Sequence, residues 1–424
     1  MVVPVPANFS FRTRHYLLHA SGVARRIAPK AWDAARLRQL AGDDMVVGAV
    51  PFSPQATARL FVPREWERLQ RPGAELDDEG AALAPATHAP TMQHGARLDG
   101  FDERGDFRTT VARGLEAIAA GDVDKVVLSR QVVGTMPRPI PTGRLREKLW
   151  AANPYAYGYD LALDAPWLLG RAGVEAPTRA PEGASCHASL PAHTREDLAH
   201  LLGASPELVL KVSGRTVSTF PLAGSIPRSQ DPAEDARRAD FLRSSHKNLA
   251  EHAHVTADIA RVLRSFCTDV DIPDGPEVLA TPVIWHLGTH MRGTLKPGVS
   301  SWDVLCALHP TPAVSGWPQA PAREVIRRLE PTPRGVFAGV VGWCEAGGDC
   351  EWAMTLRGGI THDRTAYAFA GAGIVAGSTP EEEYRETTTK LSTFLNPLLQ
   401  VMGRPHHETL CGARSAPNPG LELY

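Results

Sequence analysis

Residues 337–375 read FAGVVGWCEAGGDCEWAMTLRGGITHDRTAYAFAGAGIV. Three runs in it, FAGVVGWCEAG, CEWAMTLRGGITHD and AYAFAGAGIV, are apolar, aromatic or β-branched and are parted by turn residues. The pattern predicts three strands in an antiparallel meander. The last run passes into AGSTPEEEYRETTTKL at 376–391. Ser378, Thr379 and Pro380 predict a helix start there, with a hydroxyl N-cap, proline in the first turn and acidic residues where the helix dipole favours them. On this helix Glu383, Glu386 and Lys390 stand at i, i+3 and i+7, a single face. A run of this kind is commonly a solvated surface. Here it adjoins Gly371 and Gly373, which leave the main chain uncovered so that consecutive N–H groups can approach an anion. Strand, cradle and charged face together point to a ligand site.

Upstream, AREVIRRLEP at 322–331 reads as a short helix, and HPTPAVSGWP at 309–318 as a proline-punctuated turn suited to a pocket wall. TPVIWHLGTHMRGTL is strand-like around His286, where a hydrogen-bonded core histidine competes with a catalytic one. A helix follows at Ser301 to Ala307. Ala233 to Phe266 is read as one long helical stretch, with Leu249, Ala253, Ala257, Ala260 and Leu263 as its apolar stripe. Its HxH pair, His252 and His254, falls on different faces and makes a poor transition-metal site, whereas Glu251 suits a hard cation. LLGASPELVLKVSGRTVSTFPLAGSIPR reads as a hairpin with Glu207 in its first strand. A carboxylate among apolar neighbours tends to keep its proton, as a general acid must; a paired or exposed glutamate is the other reading.

Nearer the start, FRTTVARGLEAIAAG is an amphipathic helix that leads into the strand DKVVLSRQVVG, where Lys125, Val127 and Ser129 share one face. Taken alone, Lys125 reads as a solvated edge charge. YAYGYDLAL, PWLLG, MVVGAVPF and ARLFVP read as strands, AWDAARLRQL as a helix, and the segments 71–100 and 172–195 as loops.

The chain has 424 residues, 43% hydrophobic and 22% charged, enough for a large core. A net charge of -2 gives no general attraction to nucleic acid or to anionic membranes, so an anionic ligand must be held by local charge. No apolar run approaches the roughly 20 residues needed to span a bilayer, and the expected location is cytoplasmic. The six cysteines show neither a CxxC pair nor metal-ligand spacing. Carboxylates on separate helices at Glu251, Glu383 and Glu386, with cations at Lys125, Arg357 and Lys390, suit Mg²⁺ and a small, multiply anionic molecule.

The motifs DKVVLSR, GASPELVLK, PLAGSIPR, the KNLAEH helix, TPVIWHLGT, HPTPAVSG, GVVGW, FAGAGIV and EEYRETTTKLS, in this order, resemble the chorismate-utilising enzymes. That family includes the anthranilate, aminodeoxychorismate, salicylate and isochorismate synthases. The resemblance is dense over 124–395, with a thinner likeness to isochorismate synthases around GAVPFSP and LFVPREW. It implies one large α+β domain over 44–400, in which two antiparallel sheets form a sandwich surrounded by helices. Residues 1–43 remain an unassigned N-terminal segment and 401–424 a C-terminal tail.

The resemblance also implies roles. Lys125 stands where water-using members carry their base, and Glu207 where they carry the acid. Glu251, Glu383 and Glu386 correspond to the Mg²⁺ site. Gly224, Ser225, His286, Ala313, Phe337, Leu356, Arg357, Gly371 and Lys390 correspond to substrate-binding positions. Water as the nucleophile implies no glutamine amidotransferase subunit, and a monomer acting on chorismate is the expected state. Ala223 stands where aminodeoxychorismate synthases place a covalent lysine, which argues against that route. Ala313 and Phe337 stand where salicylate synthases commonly carry threonine and tyrosine. Both favour isochorismate synthase, for a siderophore or other aryl-acid pathway, over salicylate synthase. Asn248 replaces an acidic residue usual three positions before the metal-binding glutamate, and on that ground alone a non-catalytic chorismate-binding homologue is the remaining alternative.

Overall fold

A computed structural model describes residues 7–71, 98, 100–163 and 198–403. The sequence-predicted loops at 71–100 and 172–195 and the strand PWLLG lie almost wholly outside the described residues, as does the tail beyond 403. The strands described pair antiparallel, and seventeen of them form one hydrogen-bonded ladder. The ladder opens at Lys125–Thr135 and passes through Thr365–Val375, Gly358–His362, Ala199–Ser205, Tyr157–Leu163 and Ala7–Arg12 to Tyr16–Ile27. Arg59–Gln70 and Val46–Val50 carry it over to Val340–Cys344. It continues through Cys350–Met354, Leu208–Ser213, Thr216–Phe220 and Met291–Leu295 to Cys267–Asp271.

A single apolar core joins the two ends of this ladder. Phe9, Leu18, Leu128 and Leu201 of the first half lie in one cluster with Val47, Leu210, Val217 and Trp352 of the second. The ladder therefore bends back on itself as two packed layers, each burying one face against the other. The antiparallel, helix-flanked α+β architecture is the one expected, with the refinement that its two layers belong to one continuous ladder. Helices Thr142–Ala152 and Pro380–Val401 cover the outer face of the first layer, packing Leu145, Leu149, Leu391, Phe394 and Leu398 on Leu202, Ala366 and Ala368. A separate three-stranded sheet, Leu222–Pro227, Ile284–Gly288 and Glu277–Ala280, rests on helix Pro232–Ser244 through Leu242, Trp285 and Leu287. Residues 7–43, of which only the helix in AWDAARLRQL was expected from sequence, supply two strands of the ladder and the helix Ala34–Ala41.

Three expectations need correction. The stretch 233–266 is two helices, Pro232–Ser244 and His246–Phe266, because Ser245 leaves the helical conformation and caps the second by accepting from Asn248 N. The meander is two hairpins: Val340–Cys344 pairs with Cys350–Met354, and Gly358–His362 with Thr365–Val375, but the middle two strands do not pair with each other. Glu207 lies between strands, since Pro206 has no N–H to give a ladder and interrupts the run after Ser205.

The last two corrections describe one feature. Ala199–Ser205 pairs with Gly358–His362 in the first layer, while Leu208–Ser213 pairs with Cys350–Met354 in the second. Two neighbouring stretches thus change layer side by side, one at Pro206 and Glu207, the other at Thr355 to Arg357. They are bonded to each other, Met354 N donating to Glu207 O at 3.0 Å and Ala204 N to Arg357 O at 3.2 Å. Arg357 makes its turn with φ at +52°, a left-handed conformation that costs a non-glycine residue energy.

Candidate active site

The twin crossing forms the floor of a cavity of about 80 Å³. Its walls carry Glu207, Arg357 and Leu356 from the crossings, Gly224, Ser225 and His286 from the small sheet, Ala313 from the 309–318 turn, Phe337, and Gly371 from the strand Thr365–Val375. Glu251 comes from helix His246–Phe266, and Glu386 and Lys390 from helix Pro380–Val401. Lys125 and Glu383 stand behind this lining, the lysine fully buried.

Glu207 is buried, and burial pushes its carboxyl up to about 8, a rise opposed by a bond from the Leu222 amide and by the charges of Lys125, Arg357 and Lys390. It holds its proton at neutral pH. Arg357 is also buried; desolvation lowers its guanidinium to about 10, so it stays charged, and it donates to His286 Nε2 at 3.1 Å. Burial, and then the charges of Arg357 and Lys390, drive His286 well below the usual imidazole range. His286 is accordingly neutral, and its Nε2 accepts from Arg357, steadying a cation at the cavity floor.

Lys125 Nζ lies 3.0 Å from Glu251 Oε1. The two meet behind Gly373, where a Cβ would come within 2.5 Å of Glu251 Oε1 and 3.1 Å of Lys125 Cε. Glycine at 373 is what lets lysine and carboxylate pack against this strand. The cradle of consecutive N–H groups is not formed, because residues 365–375 are a regular strand whose N–H groups alternate between its edges. Instead Gly371 O accepts from Lys390 Nζ at 2.9 Å. The helix face expected for Glu383, Glu386 and Lys390 is present: Lys390 Nζ lies 2.6 Å from Glu386 Oε1, and Ser225 Oγ donates to the same oxygen at 3.3 Å. Behind the wall Lys247 Nζ stands 3.4 Å from Glu383 Oε1.

Each of the three candidate metal carboxylates is therefore paired with a lysine, and among the described residues no three His, Cys, Asp or Glu side chains converge as a metal cluster. The chemistry of the donors still fits a hard divalent cation. All are carboxylate oxygens, and Glu383 is pushed up to about 7 by burial and then by the neighbouring charge of Glu386, as in a site short of positive charge.

Sequence reading missed Arg334 and Phe369 of the lining, together with Glu330 and Lys247 just behind it. The i, i+4 spacing of Glu330 and Arg334 is a recognisable ion-pair signal, but it straddles the end of helix Gln319–Leu329, where helical spacing no longer licenses the inference. Phe337 and Phe369 stack with ring centroids 5.3 Å apart, forming an apolar wall.

Residues 192–399 match the family described as chorismate binding enzyme. The chain is 37% identical to the isochorismate synthase DhbC of Bacillus subtilis over 95% of both chains. It is 35% identical to the isochorismate synthase EntC of Escherichia coli, over 83% of this chain and 80% of that one. Among solved structures, a putative 2,3-dihydroxybenzoate-specific isochorismate synthase, DhbC from Bacillus anthracis, superposes with a TM-score of 0.75 at 31% identity, covering 94% of this chain and 96% of the other. With its antiparallel layers, its acid-bearing cavity and its similarity to isochorismate synthases over nearly its whole length, the chain belongs to the chorismate-binding enzyme family.

Proposed function

We propose that this enzyme converts chorismate into isochorismate by adding water at C2 of the ring and releasing the C4 hydroxyl. The observation that carries the reading is Glu207, a carboxyl raised to about 8 at the floor of a cavity whose other charged side chains include Arg357 and Lys390. Protonated Glu207 gives its proton to the C4 hydroxyl, which leaves as water while the double bonds shift. Lys125, which must enter this step as the free amine, takes a proton from the water that attacks C2. One proton then returns from lysine to glutamate, and the enzyme is reset. Arg357 and Lys390 hold substrate carboxylate, the guanidinium in a fork that His286 orients.

Glu251 and Glu386, with Glu383 directly or through water, would hold Mg²⁺, whose charge fixes the ring carboxylate when it is bound. Phe337 and Ala313 give the cavity an apolar wall without hydroxyls, which favours release of isochorismate over elimination of pyruvate. The reading needs no amidotransferase subunit, because water replaces ammonia. The similar Bacillus anthracis protein is described as 2,3-dihydroxybenzoate-specific, which supports an aryl-acid pathway for the product here.

The test is incubation of the purified protein with chorismate and Mg²⁺, followed by chromatographic resolution of the products. Isochorismate alone is expected. Salicylate with pyruvate would replace this reading by salicylate synthase, and unchanged chorismate by a binding role.

A further inference from the structure

The strand Lys125–Thr135 is bonded along one edge to Thr365–Val375, while its other edge is assembled in pieces. Gly316–Trp317 pairs with Val126 and Lys125 at one end, and Phe101–Glu103 pairs with Val132 to Gly134 at the other. Between them, Val127 O and Ser129 N face no strand. One ion pair bonds both groups: Arg334 Nη2 donates to Val127 O at 2.7 Å, and Ser129 N donates to Glu330 Oε1 at 2.7 Å. Arg334 and Glu330 grip each other at 2.6 and 2.9 Å, and their side chains are 2% and 4% exposed. The guanidinium also donates to Val314 O at 2.6 Å, and Arg334 O accepts from Phe337 N at 3.0 Å. One residue is thus bonded to the strand of Lys125, to the turn of Ala313 and to the segment of Phe337.

We propose that Arg334 and Glu330 are positioning residues for the reaction, their ion pair standing in for a missing strand and fixing the base strand against the opposite cavity wall. A buried ion pair is a weak source of stability compared with packed apolar side chains. Its particular contribution here is geometric. The planar fork and the carboxylate satisfy a carbonyl and an amide that no neighbouring strand reaches, and an apolar pair of equal volume would leave both groups unbonded. Displacement of a reacting group by about 1 Å costs on the order of 10²-fold in rate, so the effect belongs in turnover.

The proposal rests on the isochorismate synthase reading, and the experiment separates the two. Wild-type turnover of chorismate is measured first; its absence would remove that reading and the proposal with it. The paired replacement Glu330→Gln with Arg334→Met leaves no unpaired buried charge, and Arg334→Lys keeps the charge but loses the fork. In either variant, at circular dichroism and melting temperature close to wild type, kcat should fall about 10²-fold with KM for chorismate changed less than about threefold. Amide exchange at Val126 to Ser129 should quicken in the same protein. Unchanged kcat in folded variants would reduce the pair to packing, and a raised KM at unchanged kcat would make Arg334 a substrate contact; either result overturns the proposal. Should the paired replacement fail to fold, Arg334→Lys alone decides.

Discussion

In the proposed reaction Glu207 donates a proton, so it is competent only while it holds one. Its carboxyl is raised to about 8 in the free protein, and kcat/KM should therefore be level at neutral pH and fall about tenfold per unit above 8, as the group loses its proton. Glu207→Gln keeps the shape without the acidity; it should lower kcat by about 10²- to 10⁴-fold and abolish that alkaline limb. A pH–rate profile of both proteins checks this, and an unchanged limb in the variant would assign it to another group. Lys125→Ala should remove turnover by a similar factor while circular dichroism stays that of the folded protein; retained activity would take the base away from Lys125. At this scale the sequence was informative about chemistry and poor about surroundings. An apolar neighbourhood around Glu207 could be read from GASPELVLK, but the partners of its neighbours could not, because Glu251 meets Lys125, Glu383 meets Lys247 and Glu330 meets the Ser129 amide across folds of the chain.

Among the elements, the strand Thr365–Val375 and helix His246–Phe266 are held together by what glycine leaves out. Gly373→Ala would place a Cβ 2.5 Å from Glu251 Oε1, an atom at the end of a flexible side chain, so the fold should survive while the Lys125–Glu251 pair is displaced. Expected outcomes are a melting temperature near wild type, kcat lowered about 10- to 100-fold, and weaker Mg²⁺ binding by calorimetry in the absence of substrate. Ser245→Ala removes the cap that starts the Glu251 helix and should cost about 1 kcal/mol in urea unfolding. That cap also shows where the reading of elements ran out. No glycine or proline breaks 233–266, and helical periodicity alone does not reveal that a serine ends one helix and begins the next. The strands and turns of 337–375 were legible from alternation and turn residues, but which strands pair is set by contacts with Ala199–Ser205 and Leu208–Ser213, well over a hundred positions away.

For the molecule as a whole, the N-terminal strands are structural members of the core. Tyr16 donates to Glu351 Oε2 at 2.5 Å and accepts from Trp343 Nε1 at 2.8 Å, tying the strand Tyr16–Ile27 to the second layer. Tyr16→Phe leaves that buried carboxylate without its donor and should lower stability by about 1–3 kcal/mol in denaturant unfolding, with kcat little changed. No sign of this tie is legible in the sequence, since Arg- and Ala-rich segments with weak periodicity become strands only when a sheet is waiting for them. The side-by-side crossings at Glu207 and Arg357 have their own consequence at this scale. Glu207 and Arg357 are fastened at the two points where the chain steps from one layer to the other, so under the proposed mechanism the enzyme works as a vernier for the alignment of its own halves. A slip too small to expose the core would already part the reacting groups. In rising urea, isochorismate formation should fade at concentrations where the fluorescence of the nine tryptophans still reports a folded protein.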